Sequence, residues 1–394
     1  MTRKGVWKLQ QVRDKYLQSL WANPNNLFIA GKNEAGSLGQ NQRYDAPSPG
    51  DTGRSSPIQI DGDWNDVSIL EKGIGGIKTD GTLWAWGENE YGQTGDNSTV
   101  YKSSPTQIPG TTWNRIGGGR EVILATKTDG TLWAWGNNQY GQLGQNNETR
   151  YSSPVQVGSD TTWHWPVTSG YTSGAVKTDG TLWTWGSNGD RCLGHNNPTN
   201  SHRSSPVQCS AQDNVTQAEF GKEASYFVSG TSGFSMGTNA EGQLGQNNET
   251  NYSSPKQVSG SWKALSCGSD KVGGGIKTDG TLWAFGDGTS GVLGQNEAGV
   301  KHTSPKQIGS DTTWRTLTGA KDGSACFIAT KTDGTLWAWG ANTGGKFMQN
   351  NQTQRSSPIQ IPGTLWSSNW WQHSVDGGDS MHASINSTLT PSQL

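Results

Sequence analysis

Over most of this chain the apolar positions alternate instead of following a helical period. In Lys78–Gly87, KTDGTLWAWG, residues 74–78 and 82–86 read as two strand arms joined at Asp80-Gly81. An Asp-Gly pair tolerates the positive φ angles of a tight hairpin turn. Alternation puts Trp84 and Trp86 on one face and Leu83 and Ala85 on the other. Neither face is charged, so both are expected to be buried. The runs GIGGIKT from Gly73 and VGGGIKT from Val272 are expected to make room for tryptophans of a neighbouring unit. Residues 1–22 break the pattern. Val6, Leu9, Val12, Tyr16, Leu17 and Leu20 recur every three or four positions, which predicts an amphipathic helix. Asn23-Pro24-Asn25 would stop it.

The strand pattern is periodic on a larger scale. G-x-N-x-x-G-x-L-G starts, with some decay, at Gly31, Gly87, Gly136, Gly186, Gly237, Gly286 and Gly340. A second motif, S-S-P-x-Q-[VI], starts at Ser55, Ser103, Ser152, Ser204, Ser253 and Ser356, with TSPKQI at Thr303. KTDGTLW begins at Lys78, Lys127, Lys177, Lys277 and Lys331. Seven units of about 50 residues, each with roughly four short strands, predict a β-propeller rather than an open solenoid. The first unit lacks its leading hairpin arm, and SMHASINSTLT at 380–390 resembles that arm. The C-terminal strand is therefore expected to pair beside residues 27–31 and shut the ring. The predicted fold is all-β: a seven-bladed β-propeller over 23–394, closed by its N- and C-terminal strands and preceded by a docking helix over 1–22.

Composition agrees. Hydrophobic residues are only 30% of the 394, which alone would hint at disorder, but 20 tryptophans argue against it. Nine of them fall in the LWAWG slot and six more after the SSP strand, at Trp64, Trp113, Trp163, Trp262, Trp314 and Trp366, so core packing explains most. The formal net charge of -2 disfavours a polyanion-binding protein. No stretch approaches 18 apolar residues, so no transmembrane helix is expected, and the N-terminus has no apolar core of a secretory signal. Cys192, Cys209, Cys267 and Cys326 form no CxxC pair and read as free thiols.

GxNxxGQLG preceded by DGTLWAWG resembles the repeat of the regulator of chromosome condensation family, over about residues 23–390. That family forms seven-bladed propellers. The wording KTDGTLWAWGxNxxGQLG is most similar to its bacterial and phage members. Departures are clear: the family's Gly-x-x-His before the hairpin is replaced by GREVILAT, GYTSGAVK and GSDKVGGGIK, with His382 as one counterpart, and the fifth unit is eroded to SGTSGFSMG at 229–237. GVWKLQQVRDKYLQSLW resembles, over only about 20 residues, an N-terminal segment of structural proteins of marine tailed bacteriophages.

Candidate chemistry is sparse. The six histidines fall in no HExxH, and no GxSxG sits at a strand–turn–helix. Cys192, His195, His202 and Cys209 are residue types that bind zinc, but their spacing matches no common module. Cys209 also falls where other units have Val or Ile, so loop and core roles are expected, with no metal and no cofactor. The Asn-rich loops 145–154, 246–255 and 349–358 should lie in equivalent places. They read as turn chemistry or as a ring of groups contacting carbohydrate or protein. Arg150, Tyr151, Asn251 and Tyr252 are the candidate contact residues there. The longest departure, 40–54, adds Arg43, Tyr44 and Asp45.

Residues 1–22 carry five basic residues against one acid. Four readings are open: a helix packed on the chain's own propeller, a docking peptide using Val6, Trp7, Leu9, Val12, Tyr16, Leu17 and Leu20, a membrane-surface helix, and a weakly supported arm on nucleic acid. The leading expectation is a non-enzymatic structural or adhesive virion protein of a tailed phage. It would dock to other virion proteins through 1–22, contact a host protein or glycan, bind no nucleic acid, and could form an oligomer on the particle. The alternative is a guanine-nucleotide exchange factor acting on a small GTPase, although no wedge hairpin or exchange residue can be matched. A photoreceptor like the plant ultraviolet-B sensor lacks that sensor's repeated Gly-Trp-Arg-His-Thr signature, and a hydrolase or lyase has no residue-level support.

Overall fold

The structure is a computed structural model and describes residues 25–41, 53–197, 201–209, 213–321, 323–364, 366–367, 369, 373–375 and 381–386. The predicted helix over 1–22 and the loop residues Arg43, Tyr44 and Asp45 lie outside the described residues. What is described is all-β, with two 3-10 turns, Thr289–Gly291 and Thr343–Gly345, as its helical content. Among the described residues no helix is long and apolar enough to cross a membrane.

Each repeat folds as an antiparallel sheet of four neighbouring strands. In one, Trp64–Leu70, Gly73–Lys78, Leu83–Gly87 and Lys102–Ile108 lie side by side in chain order. Among the described residues there are five four-stranded sheets and one of seven strands. In the latter the long strand Tyr252–Ser269 serves two units, pairing with Ser232–Gly237 over its first part and Val272–Lys277 over its second. One sheet mixes the two ends of the chain. Asn26–Gly31 pairs antiparallel with Met381–Asn386, from Asn26 opposite Asn386 to Gly31 opposite Met381. The expected partner of residues 27–31 is therefore in place.

KTDGTLW encodes its own turn. Asp80 Oδ1 accepts the Thr82 amide at 2.9 Å and the Thr82 hydroxyl at 2.6 Å, and the Trp84 indole N–H donates to that hydroxyl at 2.9 Å. The Lys78 ammonium sits 4.3 Å from the centroid of the Trp84 ring and 5.1 Å from that of Trp64. Asp129, Asp179, Asp279 and Asp333 make the same bonds to Thr131, Thr181, Thr281 and Thr335. Of the Asp-Gly pair only the glycine takes the left-handed conformation (Gly81 φ 79°), as in a three-residue hairpin loop. Leu83, Ala85 and Trp86 are buried as expected, but Trp84 is half-exposed under its lysine, so that face is only partly covered.

The second tryptophan of the slot joins neighbouring repeats. Trp86, Trp135, Trp185 and Trp339 are fully buried. Their indole N–H groups donate to carbonyls in the preceding repeat's turn, Ser37, Gln93, Gln142 and Val292, at 2.8 to 3.0 Å. The glycine runs are explained differently from the expectation. A Cβ on Gly76 would lie 2.7 Å from Trp64 of the same sheet, and one on Gly75 would lie 2.5 Å from Ile116 of the next. The room is thus made for a tryptophan within the sheet and an isoleucine beyond it.

Candidate functional site

Two regions gather polar groups: the loops after the GxLG turns and the inner ends of the sheets. In the loops, a buried asparagine from G-x-N anchors the turn. Asn138 Oδ1 accepts the Leu143 amide at 2.9 Å, while its Nδ2 donates to the carbonyls of Asn147 at 3.0 Å and Thr149 at 2.8 Å. Asn89 and Asn239 do the same work with Thr94 and Leu244. A second asparagine adopts a left-handed φ of 55–60° and donates its amide to the next repeat's SSP strand. These bonds run from Asn41 to Ser103, Asn97 to Ser152, Asn146 to Ser204, Asn196 to Ser253, Asn247 to Thr303, Asn296 to Ser356 and Asn350 to Ser55, all at 2.6–2.8 Å. The last one links the final repeat to the first.

Much of the expected hydrogen-bonding ring is spent inside the loops. Asn147 bonds Gln145 and Thr149, and Asn248 bonds Gln246 and Thr250. What remains outermost includes Glu148, Thr149 and Arg150, which are exposed. The Arg150 guanidinium lies 4.5 Å from the centroid of the Tyr91 ring of the preceding repeat. Tyr151 is half-buried against two core clusters. Asn251 is exposed and accepts the Asn239 amide at 2.8 Å. Tyr252 is half-buried, and its hydroxyl accepts from Asn248 at 3.2 Å.

The four zinc-type residues have separate surroundings. Cys192 and Cys209 are buried and form no disulfide, and burial pushes the Cys192 thiol up. His195 shares a 2.8 Å hydrogen bond with the Thr184 hydroxyl. His202 accepts the Asn188 amide at 3.3 Å and lies against the Tyr140 ring, with centroids 4.8 Å apart. Among the described residues, no three His, Cys, Asp or Glu side chains converge to hold a metal ion.

The second region is a cavity of about 270 Å³. One edge strand from each of five repeats converges on it: Trp64–Leu70, Trp113–Gly118, Trp163–Thr168, Val215–Phe220 and Trp314–Gly319. Its walls carry Asp66, Arg115, His164, Trp165, Glu219 and Lys321 among apolar groups. Inner strands are stitched by side chains: Asp66 Oδ2 accepts the Ile116 amide at 3.1 Å, Ser68 Oγ accepts the Gly118 amide at 2.7 Å, and Gln217 Oε1 accepts the Leu265 amide at 2.8 Å. Glu219 Oε1 takes the Thr318 hydroxyl at 3.4 Å. Among the described residues, Asp66 Oδ1 and Glu219 Oε2 meet no donor.

Burial pushes the Asp66 carboxyl up to about 7 against the pull of the Arg115 guanidinium. Burial pushes Glu219 to about 7 as well, against the Lys321 ammonium. Burial, then Arg115, holds His164 below its usual range and so neutral near pH 7. Lys321 comes from a long turn: twelve residues separate Trp314 from Cys326, against nine between Trp113 and Val122. Its Nζ donates to the Gly118 carbonyl at 2.7 Å, and its own carbonyl accepts the Lys222 amide at 3.2 Å. It therefore joins the last repeat to the third and the fifth.

None of these cavity residues was singled out by motif. The signal lay in contrast: where other positions repeat, the inner strands WNDVSIL, WNRIGG, WHWPVT and VTQAEF differ from one another.

With the repeat geometry established, the comparisons are specific. Residues 80–122, 129–172, 179–228 and 234–272 match the regulator of chromosome condensation (RCC1) repeat. Four stretches between residues 80 and 272 of this chain therefore carry RCC1 repeats. This RCC1-type architecture is similar to human WBSCR16, with 17% identity and a TM-score of 0.78 over 93% of this chain and 99% of that one. It is also similar to Prp20p of Saccharomyces cerevisiae, described for its binding to Gsp1p and histones, with 15% identity and a TM-score of 0.77 over 95% and 96% of the two chains. At such identities the likeness shows an RCC1-like propeller fold and no more. No curated protein sequence matches the chain significantly.

Proposed function

We propose that this RCC1-repeat chain is a non-enzymatic binding scaffold, a structural or adhesive virion protein of a tailed phage. Its seven four-stranded units form a closed seven-bladed ring, residues 1–22 anchor it to other virion proteins, and its rim contacts a host protein or glycan. The observation that carries this reading is the set of seven equivalent asparagine bonds, each tying a loop to the next repeat, with Asn350 to Ser55 running from last to first. Such ties fix the loop backbones in repeated positions and leave groups such as Glu148, Thr149 and Arg150 to vary. A rigid, repeated display suits multivalent contact. The phage assignment rests on the resemblance of the repeat wording and of residues 1–22.

The test compares the full chain with one starting at Asn23 in affinity capture from source lysate, read by mass spectrometry. Portal, neck, tail or capsid proteins should be retained by the full chain alone, and purified particles should hold the chain at fixed copy number. Equal capture of a GTPase by both forms, with accelerated nucleotide release, would overturn the virion reading in favour of exchange activity.

A further inference from the structure

The axial cavity belongs to no repeat motif and takes no part in the loop ties. It lies apart from the rim, so what it holds is independent of the virion reading. Its walls contain two acids, Asp66 and Glu219, and two strong bases, Arg115 and Lys321. Above about pH 7, where both acids are ionised, the formal charges of these four groups cancel. What the protein leaves unmet is hydrogen-bonding capacity. Among the described residues, Asp66 Oδ1 and Glu219 Oε2, on side chains that are almost fully buried, meet no donor, and the indole N–H of Trp165 meets no acceptor. Unmet buried polar groups are costly, so native folds rarely keep several around one space.

The rest of the wall is apolar and aromatic. Ile116, Val167, Pro166 and Ala218 line it, and the rings of His164 and Trp165 lie 4.6 Å apart. At about 270 Å³ the space sits below the usual range of drug-sized pockets, so it admits a small molecule only. A ligand that completes this wall must donate to two oxygens, accept from one indole and present carbon–hydrogen faces to an aromatic surface. It must also add no net charge to a balanced set. Hydroxyl groups on a compact carbon frame meet all four demands, since each both donates and accepts. We propose that the axial cavity binds a neutral polyhydroxylated molecule of monosaccharide or cyclic-polyol size, held by Asp66, Glu219 and Trp165.

Lys321 gives the site a boundary. Its Nζ reaches from the last repeat to the carbonyl of Gly118, where the inner strand Trp113–Gly118 ends, and Lys321 itself lines the wall.

The experiment is calorimetric and fluorescence titration of the full chain at about pH 8, where both acids are ionised, with glucose, galactose, mannose, myo-inositol and glycerol, and with glucosamine and glucuronate as charged analogues. At least one neutral compound should bind saturably at a single site and change tryptophan emission, and its charged analogue should bind more weakly. Asp66→Asn and Glu219→Gln should each weaken binding about tenfold, the effect of one lost hydrogen bond to a charged group. Trp165→Phe should weaken binding and abolish the emission change. Absence of saturable binding by every neutral compound, stronger binding of a charged analogue, or unchanged affinity in Trp165→Phe would each overturn the proposal. That last variant keeps the wall carboxylates and decides the matter if the other two fail to fold.

Discussion

Tyr226 shows how a single residue repairs a decayed repeat. In four repeats the second tryptophan of the slot donates to a carbonyl of the preceding turn. In the sixth repeat Phe285 fills that slot and has no N–H to give. The orphaned carbonyl is that of Gln243, and the fully buried Tyr226 hydroxyl donates to it at 2.6 Å. The two rings pack edge to face with centroids 6.3 Å apart. Tyr226→Phe should therefore cost about 1–2 kcal/mol in chemical denaturation, because it strands a buried acceptor. Adding Phe285→Trp should recover most of that loss, since the indole restores the donor. A double variant whose losses simply add would refute the exchange. Local sequence gives no warning of this pairing, because Tyr226 lies a full strand pair away from the position it serves.

At the level of the element, the hairpin and the loop are held by side chains within a few residues of one another. The Asp80, Thr82 and Trp84 bonds span five residues, which is why the motif recurs in five repeats in the same words. The G-x-N asparagine reaches further, closing a loop of about ten residues around three backbone groups. Asn138→Ala would leave one amide and two carbonyls unmet in a half-buried loop. A loss of about 2–3 kcal/mol is expected, against about 0.5 kcal/mol or less for exposed Thr149→Ala. Denaturant midpoints for the two variants decide this. The sixth repeat already lacks the residue: Gly288 stands there, and its carbonyl accepts the Gly299 amide at 2.9 Å in place of a side-chain anchor. The motif spelled out the turn, but the role of its asparagine appears only when the loop is folded back on it.

At the scale of the whole molecule, the cavity and the outer turns respond to pH in opposite senses. Asp66 and Glu219 are raised from 3.8 and 4.5 to about 7, so between these values the folded chain holds more protons than the unfolded one. Stability contributed this way is present at low pH and lost as pH rises through about 7. In the outer turns the hydrogen bond from Lys331 leads the effects that hold Asp311 down to about 2, so its contribution is present above 3.8 and lost as pH falls through about 2. Stability should then peak on the acid side of neutrality. Denaturant midpoints should fall between about pH 5 and about pH 8, and Asp66→Asn with Glu219→Gln should flatten that fall. A midpoint that rises over this range would contradict the assignment.

The sequence by itself determined the repeat, the strand and turn content of each unit, the core tryptophans and the pairing of residues 27–31 with the C-terminal strand. All of these rest on local periodicity or on identical words placed at regular spacing, and such signals survive in one dimension. The tertiary structure alone decided what lines the cavity. Asp66, Arg115, Trp165, Glu219 and Lys321 come from five repeats and are up to 255 positions apart from Asp66 to Lys321. They share no motif, because the inner strands are where the repeats differ. Only the packing of the sheets against one another brings their edges together, and burial there, which no spacing encodes, sets the charge state of the acids.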